Sequence, residues 1–427
     1  MAARKRASPP SAAEPAPEPV RVERIGADGD GVAVLPDGRK LYLPDTLPGE
    51  VVQPGPMTRR GEGLAASATI LDPSPDRIAP PCPQFGPCGG CTLQHWADGA
   101  YAGWKQAQLT AATGSPAPTL VRTPPGSRRR MELAFRRDSG TLRIGLHRRR
   151  SAEIEDMRIC LILRPELFAL VPALRTTLPR LVGLRREGSV LINLLDSGPD
   201  LLLHTDGLLT AADRTLLAEF AAAHGIPRIA WAGPEGAEPA AQLRPAVTAL
   251  DGWQTRMPPG AFLQASREGE RAIADAVLAA LPSKLPARAH LIELFAGCGS
   301  LTHALSKRGR VTAYEGDAAA VAALRRAGNP KVSAIQRDLA RQPLQPAELK
   351  GAAAIVLDPP YAGAAAQMPA LAASRTPIIY VSCNPAALAR DARPLLAAGY
   401  QASSVTGIDQ FLWSSAIEAV TAFTPKP

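Results

Sequence analysis

The 427-residue sequence lacks the features that mark membrane, secreted or disulfide-bonded proteins. No apolar run approaches the roughly 20 residues that a bilayer-spanning helix needs. The chain begins MAARKRASPPSAAEPAPEPV, a basic start without an apolar core, so a secretory signal is not expected. It contains only 6 cysteines, which favours metal binding or catalysis over a disulfide scaffold. We therefore expect a cytoplasmic protein that has no membrane partner.

Length and charge indicate several domains and a polyanionic partner. One hydrophobic core rarely spans a chain of this length, so two or three domains are expected. The composition, 46% hydrophobic and 20% charged, is ordinary for a globular protein. The formal net charge of +9 favours a partner such as a nucleic acid.

The N-terminal region predicts a tail followed by a small β domain. Residues 1–19 are mostly Ala, Pro, Glu and Ser with little to bury, which predicts a disordered tail. In residues 20–75, short alternating strands are separated by Asp-Gly and Pro-Gly turns, which predicts a five-stranded, OB-like β-barrel. The spacing resembles the TRAM barrel of RNA-modifying enzymes. Such barrels often hold RNA, and a purely structural cap is the alternative.

A cysteine-rich loop follows, with the sequence PPCPQFGPCGGCTLQHW. Its Gly and Pro residues let Cys82, Cys88 and Cys91 wrap around a metal, and three thiolates need a fourth ligand. Cys160 is the best candidate for that ligand, and we interpret the nearby His95 as structural. Thiolate chemistry alone allows structural zinc or an iron–sulfur cluster, and unligated cysteines are a further alternative.

Residues 76–250, which include this loop, predict a central α/β domain that binds RNA. Nine arginines lie between Arg128 and Arg150 on predicted antiparallel strands. A hairpin could bring together two clusters, residues 128–130 and 148–150, into a phosphate-binding face. A solvated surface is the alternative for any single arginine.

Residues 251–427 alternate strands with Ala/Leu-rich helices, which predicts a doubly wound, mostly parallel, Rossmann-like α/β domain. Its first strand leads into the loop LFAGCGS, where Gly297 lets a ligand approach the backbone. The loop lacks the third glycine of a dinucleotide fingerprint and the GK[ST] of a P-loop. Glu315 ends the second strand, where a carboxylate can accept ribose hydroxyls, and Asp338 ends the third. This series of strand ends looks like the S-adenosylmethionine site of a class I methyltransferase.

Two further strands end in the motifs DPPY and SCNP, which offer a carboxylate and a thiol to the same crevice. Asp358 and Tyr361 resemble the motif of enzymes that methylate exocyclic amines of nucleic-acid bases. Cys383 suits another reaction, because a thiolate added to carbon 6 of uracil makes carbon 5 nucleophilic. A base must then remove the proton from carbon 5, and Glu418 is placed for that task. A structural role for a buried Cys383 is the alternative.

The motifs CGGCTLQH, FLQAS, ELFAGCGS, LDPPYAG and YVSCNP, followed by a terminal acidic motif, occur in the order typical of RNA uracil-5 methyltransferases. The sequence resembles most closely the branch that methylates 23S ribosomal RNA. The resemblance implies an S-adenosylmethionine-dependent enzyme in which Cys383 is the nucleophile and Glu418 the proton acceptor. Residues expected around the cofactor and reacting base are Gln264, Phe295, Gly297, Ser300, Glu315, Asp338 and Asp358. The implied ligands of a [4Fe–4S] cluster, which is favoured over zinc, are Cys82, Cys88, Cys91 and Cys160.

The sequence departs from the family pattern at several positions. Tyr361 stands where Arg is usual, Ser300 replaces an asparagine, and Ser414 and Ala416 replace the Thr and His that precede the terminal Glu. We expect a monomer that methylates carbon 5 of a uridine in 23S ribosomal RNA, with the base flipped into the pocket. The alternatives are an amine methyltransferase and a non-catalytic RNA-binding relative.

Overall fold

The computed structural model describes residues 18–115, 118–138 and 141–426. Residues 1–17 of the predicted tail lie outside these ranges. The chain divides into two compact units, one formed by Met1–Ala79 with Thr92–Ala97 and the other by Pro80–Cys91 with Asp98–Pro427. No helix among the described residues has the length and apolar character needed to cross a bilayer.

The first unit is a small β domain with two sheets. Its strands are β1 (Val20–Arg21), β2 (Arg24–Ile25), β3 (Gly31–Val34), β4 (Lys40–Leu43), β5 (Val51–Pro54), β6 (Thr58–Arg60), β7 (Gly63–Ala65) and β8 (Ala68–Asp72). One sheet has the order β1-β5-β8 and the other β2-β3-β4-β7-β6. The predicted β domain is present, but it contains more strands than the five expected. Tight turns, such as the one at Gly61 with a φ of 56°, divide the second half into four short strands.

The second unit contains the remaining elements. Its helices are α1 (Asp98–Thr113), α2 (Pro165–Phe168), α3 (Leu170–Thr177), α4 (Ala211–Ala223), α5 (Arg267–Ala280), α6 (Ser300–Leu305), α7 (Ala318–Arg326), α8 (Pro346–Leu349), α9 (Met368–Ser374) and α10 (Pro385–Ala397), with 3₁₀ turns at Leu178–Arg180 and Ala365–Gln367. Its first strands are β9 (Thr119–Arg122), β10 (Arg130–Asp138), β11 (Thr141–His147), β12 (Ile154–Asp156), β13 (Glu187–Leu195), β14 (Gly198–Thr205), β15 (Arg228–Gly233), β16 (Gly236–Gln242), β17 (Val247–Leu250) and β18 (Trp253–Arg256). The later strands are β19 (His290–Leu294), β20 (Arg310–Glu315), β21 (Val332–Gln336), β22 (Ala354–Leu357), β23 (Ile378–Ser382), β24 (Tyr400–Asp409) and β25 (Glu418–Pro425).

The central part of this unit is a seven-stranded sheet with the order β12-β11-β10-β13-β14-β15-β16. All its pairs are antiparallel except β14 with β15. One face buries alternate residues such as Leu133, Phe135 and Val190 against α3 and α4. This alternation is typical of a sheet with one covered face.

The C-terminal part is an eight-stranded sheet with the order β21-β20-β19-β22-β23-β25-β24-β9. Strands β19 to β23 are parallel, whereas β25 is antiparallel to both of its neighbours. Every residue of β22 and β23 is buried, as expected for strands covered on both faces. The predicted doubly wound α/β domain is therefore confirmed.

The last strand of this sheet comes from far upstream in the chain. β9 pairs in parallel with β24, from Thr119 opposite Thr406 to Arg122 opposite Asp409. The preceding helix α1 contacts both β24 and α10. Residues expected to open the central domain thus complete the C-terminal sheet.

Candidate active site

A cavity of about 710 Å³ opens at the carboxyl ends of the C-terminal parallel strands. It brings together nearly all residues that the sequence proposed for the cofactor and the reaction. Those in its wall are Gln264, Phe295, Gly297, Ser300, Glu315, Asp358, Cys383 and Glu418. Asp338 is not among the lining residues, because β21 ends two positions earlier at Gln336 and the Asp338 carboxylate accepts the N–H groups of Ala340 and Arg341.

The loop after β19 has an unusual backbone that shapes one wall. Phe295 has a φ of 64°, which a non-glycine residue rarely adopts, and Gly297 and Gly299 have φ values of 56° and 105°. A Cβ added to Gly299 would lie 2.6 Å from Leu324 Cδ1. Backbone conformation therefore favours glycine at both positions, and at Gly299 the lack of space for a Cβ adds to that requirement.

Glu315 fixes the same loop from the next strand. One carboxylate oxygen accepts the N–H of Gly297 at 2.8 Å, and the other accepts the N–H of Asp317 at 2.8 Å. Ser300 donates its hydroxyl to Glu270 Oε2 at 3.3 Å, and this carboxylate also pairs with the buried Arg129 at 2.6 Å. The loop is therefore held by charged and polar contacts on both sides.

Cys383 directly follows β23, and Glu418 is the first residue of the adjacent antiparallel strand β25. Ser382, the last residue of β23, pairs with Ala419 of β25. Cys383 follows Ser382 and Glu418 precedes Ala419, so continuing the antiparallel register sets the thiol residue opposite the carboxyl residue. Cys383 and Glu418 are 35 positions apart in the sequence, and the antiparallel pairing of β25 with β23 brings them to the same edge of the sheet.

A chain of buried amides joins two of the carboxyl groups of the cavity, Asp358 and Glu418. Gln264 donates Nε2 to Asp358 Oδ2 at 3.2 Å, and its own Oε1 accepts from Gln410 Nε2 at 2.8 Å. The same Gln410 nitrogen donates to Glu418 Oε1 at 3.2 Å. Gln410 was not predicted from the sequence, although its position directly after Asp409, the last residue of β24, was the available signal.

The loop between β24 and β25, residues 410–417, is anchored by a buried lysine that the sequence also did not reveal. Lys105 on α1 and Asp409 are both fully buried, and their charged atoms lie 3.1 Å apart. Lys105 also donates to the carbonyl of Ala416, two residues before Glu418. Tyr101 donates its hydroxyl to Asp409 at 2.9 Å and accepts the N–H of Trp413 at 3.0 Å. α1 therefore fixes both ends of the loop that leads to Glu418.

The acidic groups of the cavity have strongly raised pKa values. Burial, opposed by the Gln264 hydrogen bond, raises the pKa of Asp358 to about 7. Burial and the charge of Asp358 raise the pKa of Glu418 to about 8. Glu293, also buried and near Asp358 and Glu315, has a pKa raised to about 8. Burial and the two nearest carboxylates raise the pKa of the Cys383 thiol to about 12.

The charge balance of the wall favours a cationic ligand. Among the described residues that line the cavity there is no Lys or Arg, while Glu293, Glu315, Asp317, Asp358 and Glu418 are all acidic. Clustered carboxyl groups out of water resist ionisation together, and a positive ligand charge relieves that cost. Perturbed pKa values of this kind are typical of functional sites.

The arginines of the predicted RNA-binding face divide into two groups. Arg129 is 1% exposed and paired with Glu270, so it is part of the interior. Arg148 pairs on the surface with Glu153 and Glu155. Arg129 and Arg148, one from each cluster, therefore already have acidic partners.

The cysteine loop packs against the segment that carries Cys160. Gln84 accepts the N–H groups of Arg158 and Ile159 at 2.7 and 3.0 Å, and it donates to the carbonyl of Asp156 at 2.8 Å. Three backbone N–H groups are directed at thiols, that of Gly90 at Cys88 and those of Ile162 and Leu163 at Cys160.

The thiols of this region are close enough to influence one another. Burial and the neighbouring Cys160 and Cys82 raise the pKa of Cys88. Within residues 18–115, 118–138 and 141–426, however, no three His, Cys, Asp or Glu side chains form a group that could hold a metal ion as it stands. The donor set has the chemistry of a thiolate cluster, with thiols from two tied segments and N–H donors that stabilise thiolates.

Comparison with known proteins gives both a family match and a common fold. A sequence model described as tRNA (uracil-5-)-methyltransferase matches residues 260–424. The solved structure of a tRNA (uracil-54, C5)-methyltransferase from Pyrococcus abyssi, in complex with S-adenosyl-L-homocysteine, has a TM-score of 0.72. It covers 95% of this chain and 100% of its own at 19% identity, which shows a common fold.

Two relatives extend the similarity along the whole chain. An uncharacterised RNA methyltransferase from Mesorhizobium japonicum is 38% identical over 415 residues, which are 95% of this chain and 97% of that protein. The 23S rRNA (uracil(1939)-C(5))-methyltransferase RlmD of Erwinia tasmaniensis is 31% identical and covers 95% of this chain and 96% of its own. The chain belongs to the RNA (uracil-5-)-methyltransferase family.

Proposed function

We propose that this protein transfers the methyl group of S-adenosylmethionine to carbon 5 of a uridine in 23S ribosomal RNA. The observation that carries the proposal is the cavity whose wall contains both a thiol residue and a carboxyl residue, Cys383 directly after β23 and Glu418 at the start of the neighbouring β25. Ribosomal RNA is favoured as substrate because RlmD, named for its action on 23S rRNA, aligns with 95% of the chain.

The methyl donor fits the charge of the cavity. S-Adenosylmethionine carries a sulfonium cation, and the wall offers several carboxyl groups without a basic residue among the described ones. Glu315, next to the Gly297 loop, is positioned to accept ribose hydroxyls with its remaining lone pairs. Transfer of the methyl group removes the positive charge, so the neutral product loses this attraction and leaves more readily.

In the proposed reaction, the Cys383 thiolate forms a bond to carbon 6 of the flipped uracil, and the displaced electron pair gives an enolate. Carbon 5 then attacks the methyl carbon, whose bond to sulfur breaks. Glu418 takes the proton from carbon 5, and the electrons of that bond expel the thiolate from carbon 6. The amide of Gln264 orients Asp358 beside the reacting base.

The residues near the cysteine loop would hold a [4Fe–4S] cluster through Cys82, Cys88, Cys91 and Cys160, with zinc as the less favoured metal. Support comes from the Gln84 contacts that tie the two cysteine segments together and from the N–H groups directed at their thiols. When bound, such a cluster supplies a rigid cross-link, because the methyl transfer itself moves no net electrons. The protein's own contribution is to hold this loop against the central sheet.

The test of the proposed function compares Cys383→Ala and Glu418→Gln with the unchanged protein. Radiolabelled methyl donor and a 23S ribosomal RNA transcript should give 5-methyluridine, and RNA that contains 5-fluorouracil should become covalently attached to the protein. Cys383→Ala should abolish both the formation of 5-methyluridine and the covalent attachment, while it still binds the methyl donor. Glu418→Gln should accumulate a covalent adduct with RNA that contains ordinary uracil. A matched control is Glu219→Gln, at an exposed position of α4.

Full activity of Cys383→Ala would contradict the proposal. An N-methylated base as product would instead support the alternative hypothesis, an amine methyltransferase that uses Asp358 and Tyr361. Methylation of transfer RNA but not of ribosomal RNA would reassign the substrate while leaving the chemistry intact.

A further inference from the structure

A second cavity, of about 600 Å³, lies in the same unit and has the opposite charge character. Its wall contains four arginines and, among the described lining residues, no acidic residue. We name it the arginine groove and define it by Arg228, Arg244, Arg256, Arg326, Pro258 and Pro259. The two prolines also line the candidate active site, so the groove and the acidic cavity share a wall.

Two of the arginines are fixed in place by contacts within the protein. Arg228 is buried and makes a bidentate pair with Asp200, with distances of 2.8 and 2.7 Å, so its charge is already balanced. Arg244 is held by the carbonyls of Ser197 and Gly225 and has no acidic partner among the described residues. Carbonyl contacts orient a guanidinium without cancelling its charge.

The other two arginines are available to a ligand. Arg256 ends β18 and Arg326 ends α7, and both are exposed. In the described part of the chain neither forms an ion pair or a side-chain hydrogen bond. Together with Arg244 they bring three uncompensated positive charges to one concave surface.

We propose that the arginine groove binds the phosphodiester backbone of the RNA substrate beside the flipped nucleotide. Guanidinium groups bind phosphate through paired N–H donors, and a concave basic surface tracks a polyanion better than a scattered one. The shared proline wall lets one RNA strand contact both cavities, its backbone in the basic groove and its base in the acidic one. The inference rests on the proposed function in taking RNA as the ligand.

The size of the effect follows from counterion release. Each arginine that neutralises one phosphate of a single strand adds about 0.7 to the slope of log K against log salt. Removal of two arginines should therefore lower this slope by about 1.4, which at ~0.1 M salt corresponds to roughly 10- to 30-fold weaker binding.

The experiment measures the fluorescence anisotropy of a labelled single-stranded oligouridylate with the full-length protein over a range of salt concentrations. The test variant combines Arg256→Ser with Arg326→Ser. The matched control combines Arg288→Ser with Arg393→Ser, which removes equal charge at exposed positions outside both cavities. A second test variant, which combines Arg256→Lys with Arg326→Lys, keeps the charge and should retain most of the affinity for oligouridylate.

The groove variant should show this weaker affinity and smaller salt slope, and methylation of a 23S transcript should show a raised KM with an unchanged kcat. Equal binding by the groove variant and the charge-matched control would overturn the inference. Unchanged donor binding and circular dichroism establish that each variant is folded. If the unchanged protein methylates no RNA while oligouridylate binding still depends on the groove, the proposed function fails and the groove assignment stands.

Discussion

The hydrogen bond from Gln410 to Glu418 should set the pH at which the carboxyl group works as a base. Glu418 is buried beside Asp358, and the amide of Gln410 donates to its Oε1 at 3.2 Å. This N–H favours the ionised form and opposes the larger effect of burial. Gln410→Met keeps the length of the side chain but removes the donor, so the pKa of Glu418 should rise above its present value of about 8.

A hydrogen bond to a charged group is worth about 1.5–3 kcal/mol, and this bond is long, so we take the lower end. Since one pKa unit equals about 1.4 kcal/mol, the pKa of Glu418 should rise by about 1 unit. At pH 8 the ionised fraction would fall from about one half to about one tenth, a loss of about fivefold in kcat/KM. The loss should vanish as the pH rises beyond the new pKa, because the carboxylate form is then fully populated.

The assay is the pH dependence of kcat/KM for methyl transfer to an RNA transcript, because this parameter reports the groups of the free enzyme. Gln401→Met, at an exposed position of β24, the strand that precedes Gln410, is the matched control. An equal loss at every pH would mean that Gln410 acts only through packing. A profile that does not move at all would refute the assignment of Glu418 as the base.

Other predictions concern the supports of the site and the cysteine loop. Lys105→Met should lower the free energy of unfolding by about 3 kcal/mol in urea titrations, because the buried charge of Asp409 loses its nearest cation; adding Asp409→Asn should restore part of the loss. Gly269→Ala should reduce activity and stability together, since the added Cβ would lie 2.6 Å from Gln410 Oε1. Cys160→Ser should weaken the visible absorption of anaerobically purified protein. An unchanged protein that is colourless and contains zinc would contradict the iron–sulfur cluster.

The residues predicted best from sequence are those at the ends of parallel strands. Asp358 and Cys383 each follow an apolar β-branched run, and parallel strands bring their carboxyl ends to one edge of the sheet. Periodicity thus predicts both the strands and the crevice. Asp338 shows the limit of this rule, because a strand that ends two residues early directs the next side chain into its own turn.

Residues that act across long distances in the chain could not be predicted in the same way. Lys105 meets Asp409 over a separation of 304 positions, and nothing in the sequence of α1 reveals that pairing. Gln410 meets both Gln264, 146 positions earlier in the chain, and Glu418, which begins the antiparallel strand β25. Arg129 lies within a basic run typical of RNA contact, yet its side chain is buried on Glu270. In each case the role of the side chain depends on a tertiary contact with a residue that is distant in the sequence.

The origin of β9 has a consequence for how the protein is made. Residues 98–122 leave the ribosome early, whereas their partner positions 406–409 follow after another 284 residues, counted from 122 to 406. At a synthesis rate of about 5–20 residues per second, this interval lasts about 15 to 60 seconds. Throughout it, α1 and β9 have no sheet to join, and Lys105 has no counterion at Asp409. The anchored loop before Glu418 is therefore among the last parts of the protein to form, and a nascent chain that stops before it carries an incomplete sheet.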